Sequence, residues 1–282
     1  MHRGCEEKVY SPDPPIGWGP VIWREMAREL LNSRELIWRL FLRDFSARYR
    51  QSLLGVAWAG IMPLAAVGTF VFLNQSGVLN IGETGVPYPL YALLGLTIWQ
   101  LFATGITGSS AAIVAGGSMV LKINFPREVL VFASLGQALF DTAVRLALLG
   151  AVFALFRVAP CWTAVFLPLA LLPLLLLTLG LGLWLAWFNA LVRDVGHMVG
   201  LLTAGLLLLT PVLYPNTHQG LLAVVTPYNP LAALVTASRD TVIVGHLTDP
   251  AGFAWATLLS LVLFLASWRL FHIVEPRLAE RL

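Results

Sequence analysis

Two stretches of this sequence carry residue types suited to handling charged groups at a membrane surface. The first is Arg48 and Arg50, immediately followed by Ser52-Leu53-Leu54-Gly55. A guanidinium offers a planar fork of donors that matches phosphate oxygens, whereas an ammonium is only a point charge. Leu54-Gly55 then reads as a break before a hydrophobic run. The plainer reading is a charge stop and a hinge. The second stretch is Lys122-Ile123-Asn124-Phe125-Pro126-Arg127-Glu128, between two long apolar runs, followed later by Arg193-Asp194-Val195.

Other chemistry is excluded by what the sequence lacks. Phosphate capture by a P-loop needs a Gly-Lys-Ser/Thr string. The two lysines, Lys8 and Lys122, do not follow glycine, so the chain has no such loop. The five histidines (His2, His197, His218, His246 and His272) are scattered without zinc-binding spacing, and Cys5 and Cys161 are isolated. Asp141 and Arg145 stand four residues apart within an apolar run and are expected to pair along one helix face.

The elements that must position these groups are hydrophobic. Of 282 residues, 58% are hydrophobic and only 12% charged, with a mean hydropathy of +0.78. Soluble domains carry about twice that charged fraction. The expected fold is all-α and membrane-embedded. Residues 1–20, rich in Pro and Gly, form a flexible lead-in, and no cleavable signal peptide is expected. Residues 21–50 alternate aromatic and aliphatic positions with Arg and Glu at helical steps. They predict an amphipathic interface helix, whole or broken near Asn32-Ser33. Residues 51–282 form the transmembrane domain.

Six spans are expected at about Leu54–Leu73, Tyr88–Thr107, Val129–Phe156, Thr163–Phe188, Val199–Leu213 and Ala251–Trp268. Gly220–Thr226 and Leu231–Val244 are too short to cross and read as re-entrant or interfacial helices. With both termini inside, fifteen Lys and Arg fall on the cytoplasmic side and two on the outer side, so both termini are expected to be cytoplasmic. Trp58, Trp162, Trp184, Trp187, Trp255 and Trp268 lie near span ends, as an aromatic belt would.

Five strings occur in fixed order: Ser52-Leu53-Leu54-Gly55 with Trp58 and Pro63; Lys122 to Glu128; Arg193-Asp194-Val195; Thr210-Pro211-Val212-Leu213-Tyr214-Pro215; and Tyr228-Asn229-Pro230-Leu231. Together they resemble the permease subunit of polysaccharide-exporting ABC transporters, the family that exports O-antigens, capsular polysaccharides and teichoic acids.

The resemblance implies a bacterial inner-membrane homodimer working with a separate cytoplasmic ATPase dimer. That partner would bind ATP and Mg, and this chain would bind no cofactor, metal or nucleic acid. It implies that the segment from Ala111 to Glu128, above all Lys122, Asn124, Phe125, Pro126, Arg127 and Glu128, docks on the ATPase. Arg193 and Asp194 would form a secondary contact, and the outer hairpin a gate. Arg48, Arg50, Leu54 and Gly55 would be where a lipid-linked polysaccharide is loaded. Mid-span Trp99 with Phe102, and Phe70, Tyr88 and Tyr91 towards the outer end, would line its channel, since aromatics stack on sugar faces; the plainer reading of Trp99 is helix packing. Two other functions share these features: a membrane-embedded enzyme processing glycolipids, and an ABC permease for a drug or small lipid.

Overall fold

The computed structural model describes residues 19–50, 55–77, 82, 84–117, 119, 125–215 and 224–279. All regular elements among them are helical. In chain order they are α1 (Pro20–Asn32), α2 (Arg34–Tyr49), α3 (Trp58–Gln75), α4 (Tyr88–Gly116), α5 (Glu128–Phe156), α6 (Leu167–Leu191), α7 (Asp194–Leu209), α8 (Pro230–Ile243) and α9 (Pro250–Ala279). Short 3₁₀ turns lead into α3, α6 and α8.

Five stretches are long and apolar enough to cross a bilayer: Gly55–Gln75, Tyr88–Gly116, Glu128–Phe156, Trp162–Leu191 and Pro250–Glu275. These match the first four expected spans and the last. The remaining expected span, Val199–Leu213, falls on α7, whose 16 residues are fewer than a bilayer core requires. Its chain leaves helical geometry at Thr210, just before Pro211, as the residue preceding a proline tends to.

Helix α4 is the axis of the subunit. Its most apolar 18-residue window is 78% buried, against 17% for α3. Packing around α4 are α3, α5, α6, α7 and α8. Small residues let this happen. A Cβ on Gly105 would sit 2.7 Å from Thr178 Cγ2, and one on Gly180 would sit 3.0 Å from the Phe264 backbone, so α4, α6 and α9 approach to near backbone contact. Two apolar cores result. One surrounds α4 and reaches α8, with Leu94, Leu101, Leu174 and Leu234 inside it. The other lies at the end of the bundle that holds Arg127 and Arg193, hereafter the basic end, and gathers Met26, Leu40, Val129, Leu183 and Phe271.

The amino-terminal helix breaks where its sequence weakens it. Ser33 Oγ donates to the Glu29 carbonyl at 2.9 Å, and its backbone takes a non-helical ψ of 4°. A side chain competing for the helix's own acceptors is what makes serine a poor interior residue. On α1, Met26 is fully buried while Arg24, Glu25 and Arg28 are exposed.

Candidate functional site

At the basic end α2 lies along α5. Phe45 meets Phe140 edge-on with centroids 4.8 Å apart, and the next turn of α2 delivers two polar groups to one buried carboxylate. Arg48 Nη1 donates to Asp141 Oδ2 at 2.9 Å, and Tyr49 Oη donates to Oδ1 at 3.0 Å. Gln137, one turn earlier on α5, donates from Nε2 to the same Oδ1 at 3.2 Å. Asp141 is 3% exposed, so three donors hold its charge out of water. Burial, and then Asp141 itself, push the Tyr49 phenol above its usual range.

This corrects the expected pairing of Asp141 with Arg145. The partner of Asp141 is Arg48, 93 residues away. Arg145 instead donates from Nε to the Ala59 carbonyl at 3.3 Å, joining α5 to the first turn of α3. Sequence spacing shows that i and i+4 share a face, but α2 supplies a competing cation on that same face.

The Arg48–Asp141 pair lines a cavity of about 220 Å³ between α2, α4 and α5, whose wall is mostly apolar with a few polar side chains. Gly108, Ala111, Ala112 and Ala115 form its α4 wall; these side chains are too short to fill the space between helices. Arg48 is half-exposed at the pocket, and Arg50 is exposed at the end of α2. Leu54 lies outside the described residues. Gly55 has φ +49°, a left-handed conformation that strains any side chain. A break between α2 and α3 therefore requires glycine there.

The second string divides. Lys122 and Asn124 lie outside the described residues, and Ala111 to Gly116 continue α4 instead of opening a separate helix. Pro126 precedes α5, where a missing N–H costs nothing. Phe125 is half-buried against the basic-end core. Glu128 is 1% exposed and accepts a 2.8 Å bond from Trp268 Nε1, so its carboxylate points into the subunit and not at a docking partner. Arg127 grips α9 beside it. Its backbone N–H reaches Glu275 Oε1 at 2.6 Å and its Nη1 reaches the Glu275 carbonyl at 2.7 Å. Trp268 itself is turned inward, stacked on Phe264 and edge-on to Trp23, which removes it from the expected aromatic belt. Trp162, by contrast, is 77% exposed.

Arg193 and Asp194 are exposed, and Asn189 sets the turn they occupy. Asn189 donates to the Ser110 carbonyl at 2.9 Å and accepts from the Gly196 N–H at 2.9 Å, tying α4, α6 and α7 together. The sequence reading missed it. An amide amid apolar neighbours just before Arg193-Asp194 was the available signal.

At the far end the last two strings meet. Asn229 caps α8 by accepting from the Leu231 N–H at 3.0 Å, and its Nδ2 donates to Thr210 Oγ1 at 3.1 Å. Arg239, 4% exposed, donates to the carbonyls of Pro211 at 2.9 Å and Val212 at 2.7 Å, and to Tyr91 Oη. Its guanidinium also lies 4.0 Å from the Tyr91 ring centroid. Tyr91 is thus buried inside this knot. Tyr88 is half-buried, and Phe70 is half-buried on α3. Trp99 and Phe102, at 3% and 1% exposure, pack together 5.5 Å apart within the α4 core. The structure gives Trp99, Phe102 and Tyr91 a packing role within one subunit instead of a place on a channel wall, because α4 is central and α3 and α7 are peripheral.

Five helices long and apolar enough to cross a bilayer, one of them the buried axis α4, define a multi-pass membrane protein. The sequence profile of the ABC-2 type transporter family matches residues 35–243, and the chain belongs to that family. It is 28% identical over 262 residues to the O-antigen export system permease protein RfbA of Myxococcus xanthus, covering 90% of this chain and 98% of that one. A protein of the same name from Klebsiella pneumoniae is 24% identical over 208 residues, or 73% of this chain and 79% of the relative.

Proposed function

We propose that the chain is the transmembrane subunit of an ABC exporter that moves a lipid-linked, O-antigen-like polysaccharide across a bacterial inner membrane. The observation that carries this reading is the match to an O-antigen export permease along 90% of the chain. The cavity under α2 supports it, since Arg48, Asp141, Gln137, Ser134 and Thr104 in its lining offer hydrogen-bond partners to a hydroxyl-rich cargo. A glycolipid-processing enzyme would need converging acid–base groups, yet the buried carboxylates Asp141, Glu128 and Asp240 are each held by structural donors.

In this reading the basic end faces the cytoplasm, and an ATPase dimer binding ATP and Mg docks there. Phe125 with Lys122 and Asn124, and the exposed Arg193–Asp194 turn, supply the contact. Arg48 and Arg50 meet the diphosphate of the incoming lipid. Two copies enclose the pathway, using the apolar surface left open on α3 and α7, where Met62, Phe72, Leu201 and Leu208 are all more than half exposed. Phe70, beside that α3 surface, is the strongest pathway aromatic of those expected.

The test is reconstitution. Vesicles holding the chain and a soluble P-loop partner are expected to move lipid-linked glycan only with ATP, while the chain alone releases no phosphate. Phosphate release by the isolated chain, or ATP-driven movement of a small lipid in place of the glycan, would sink the proposal.

A further inference from the structure

The cavity under α2 has a feature that helix packing does not account for. Gln137 is 93% buried by its 7% exposure, lines the cavity, and spends its Nε2 on Asp141; its Oε1 has no hydrogen-bond partner. A buried amide oxygen left bare costs on the order of a whole hydrogen bond, so its natural complement is a donor delivered from the cavity. The rest of the lining defines that donor's owner. Arg43 and Arg48 are matched by Asp44 and Asp141, so the site has no net charge to attract a bare anion or cation. Ser134 and Thr104 add hydroxyls, and the alanines of α4 add a flat apolar wall. A carboxylate, an amide and hydroxyls facing an apolar surface complement a pyranose ring, which has hydroxyls at its edge and C–H groups on its face. The volume of about 220 Å³ admits one such ring.

We propose that this pocket binds a single neutral sugar unit, with the phosphate that carries it resting on Arg48 at the mouth. The inference rests on the proposed export of a lipid-linked glycan and assigns the recess that reads the unit nearest the lipid. Gln137 Oε1 accepts a sugar hydroxyl. Arg48 leaves Asp141 for the phosphate, and Asp141, still held by Tyr49 and Gln137, accepts a second hydroxyl. The Arg48–Asp141 pair is therefore the closed state of the pocket, and ligand exchanges it for a new pair of the same kind.

The experiment is a binding titration of the full chain in nanodiscs of zwitterionic lipid. One probe is a short polyprenyl diphosphate carrying one N-acetylhexosamine; the other is the same diphosphate without the sugar. The sugar-bearing probe is expected to bind about tenfold tighter, the worth of a satisfied buried acceptor. Gln137→Leu should abolish that preference. Gly108→Leu is the second variant. A Cβ at Gly108, which lines the recess, meets nothing nearer than Ser134 at 3.7 Å, so a larger side chain there takes up space in the recess. It too should erase the preference. Equal binding of both probes to wild type, binding of neither, or a preference surviving in both variants would overturn the proposal. Displacement of the sugar probe by phosphatidylglycerol, lost in Gly108→Leu, would assign the recess to a lipid glycerol group and overturn the glycan assignment. Export is read separately. A chain that exports glycan but binds both probes alike keeps the function and loses the pocket, and a chain that prefers the sugar probe but does not export does the reverse.

Discussion

Three carboxylates at the basic end do different work because their partners differ. Asp141 is held by groups on another helix, so its loss releases α2. Glu128 is held by one indole, and Glu275 by the backbone and guanidinium of Arg127. Glu128→Ala leaves the buried Trp268 N–H without an acceptor and is expected to cost about 1–3 kcal/mol. Glu128→Gln keeps an oxygen there and should cost less. Thermal unfolding of the two purified variants checks the order, and equal melting would remove the Trp268 bond from the account. The Tyr49 phenol gives a pH test. Its pKa is raised by burial and by Asp141, so the neutral form favours the folded protein. That contribution is complete below the ordinary tyrosine range of about 10 and disappears as pH rises through the higher folded value. The difference in phenolate absorbance between wild type and Tyr49→Phe should therefore appear only above the range of the exposed tyrosines.

Among the elements, close approach decides which substitutions matter. A Cβ on Gly95 would collide with the Val212 carbonyl oxygen and lie 2.6 Å from Arg239 Nη2, displacing the knot that fastens α8 to α4. Gly95→Ala is expected to lower the yield of folded protein sharply. Gly200→Ala, with open space around it, should be neutral or gain up to about 1 kcal/mol from helix propensity. Similar melting of both would discount the knot. Trp99→Ala belongs here as well. With 3% exposure its truncation should cost about 3–5 kcal/mol, and any export loss should track the amount of folded protein.

Five of the six expected spans and the Ser33 break were legible because each follows from local periodicity or from a single side chain's chemistry. The direction a polar group faces was not. Glu128 and Trp268 look like a loop handle and a belt residue until α5 and α9 are brought together, and Asp141 looks paired with Arg145 until α2 is laid beside it. Periodicity gives a helix's faces but not its neighbours, and α4 reads like any other span although it is the buried axis.

For the whole molecule the testable statement is orientation. The basic end carries Arg193 and the far end carries exposed Trp162. In a background lacking the native cysteines, a membrane-impermeant thiol reagent applied to intact cells should label Trp162→Cys and spare Arg193→Cys until the membrane is opened. The reverse pattern would invert the assignment and place the α2 cavity on the wrong side for a glycan made inside.

The break at Ser33 has a mechanical consequence. On one side of it α1 leans on α9 through Trp23 and Trp268; on the other α2 is bolted to α5 through Phe45 and Arg48. The two arms of this elbow are thus anchored to different pillars. Any movement of α5 relative to α9 would therefore bend the elbow at a joint one residue long. The amino-terminal segment is thereby a goniometer for the angle between α5 and α9. Leu31 and Trp38, both exposed and on opposite arms, are the places to mount a pair of spectroscopic rulers that would read any change of that angle.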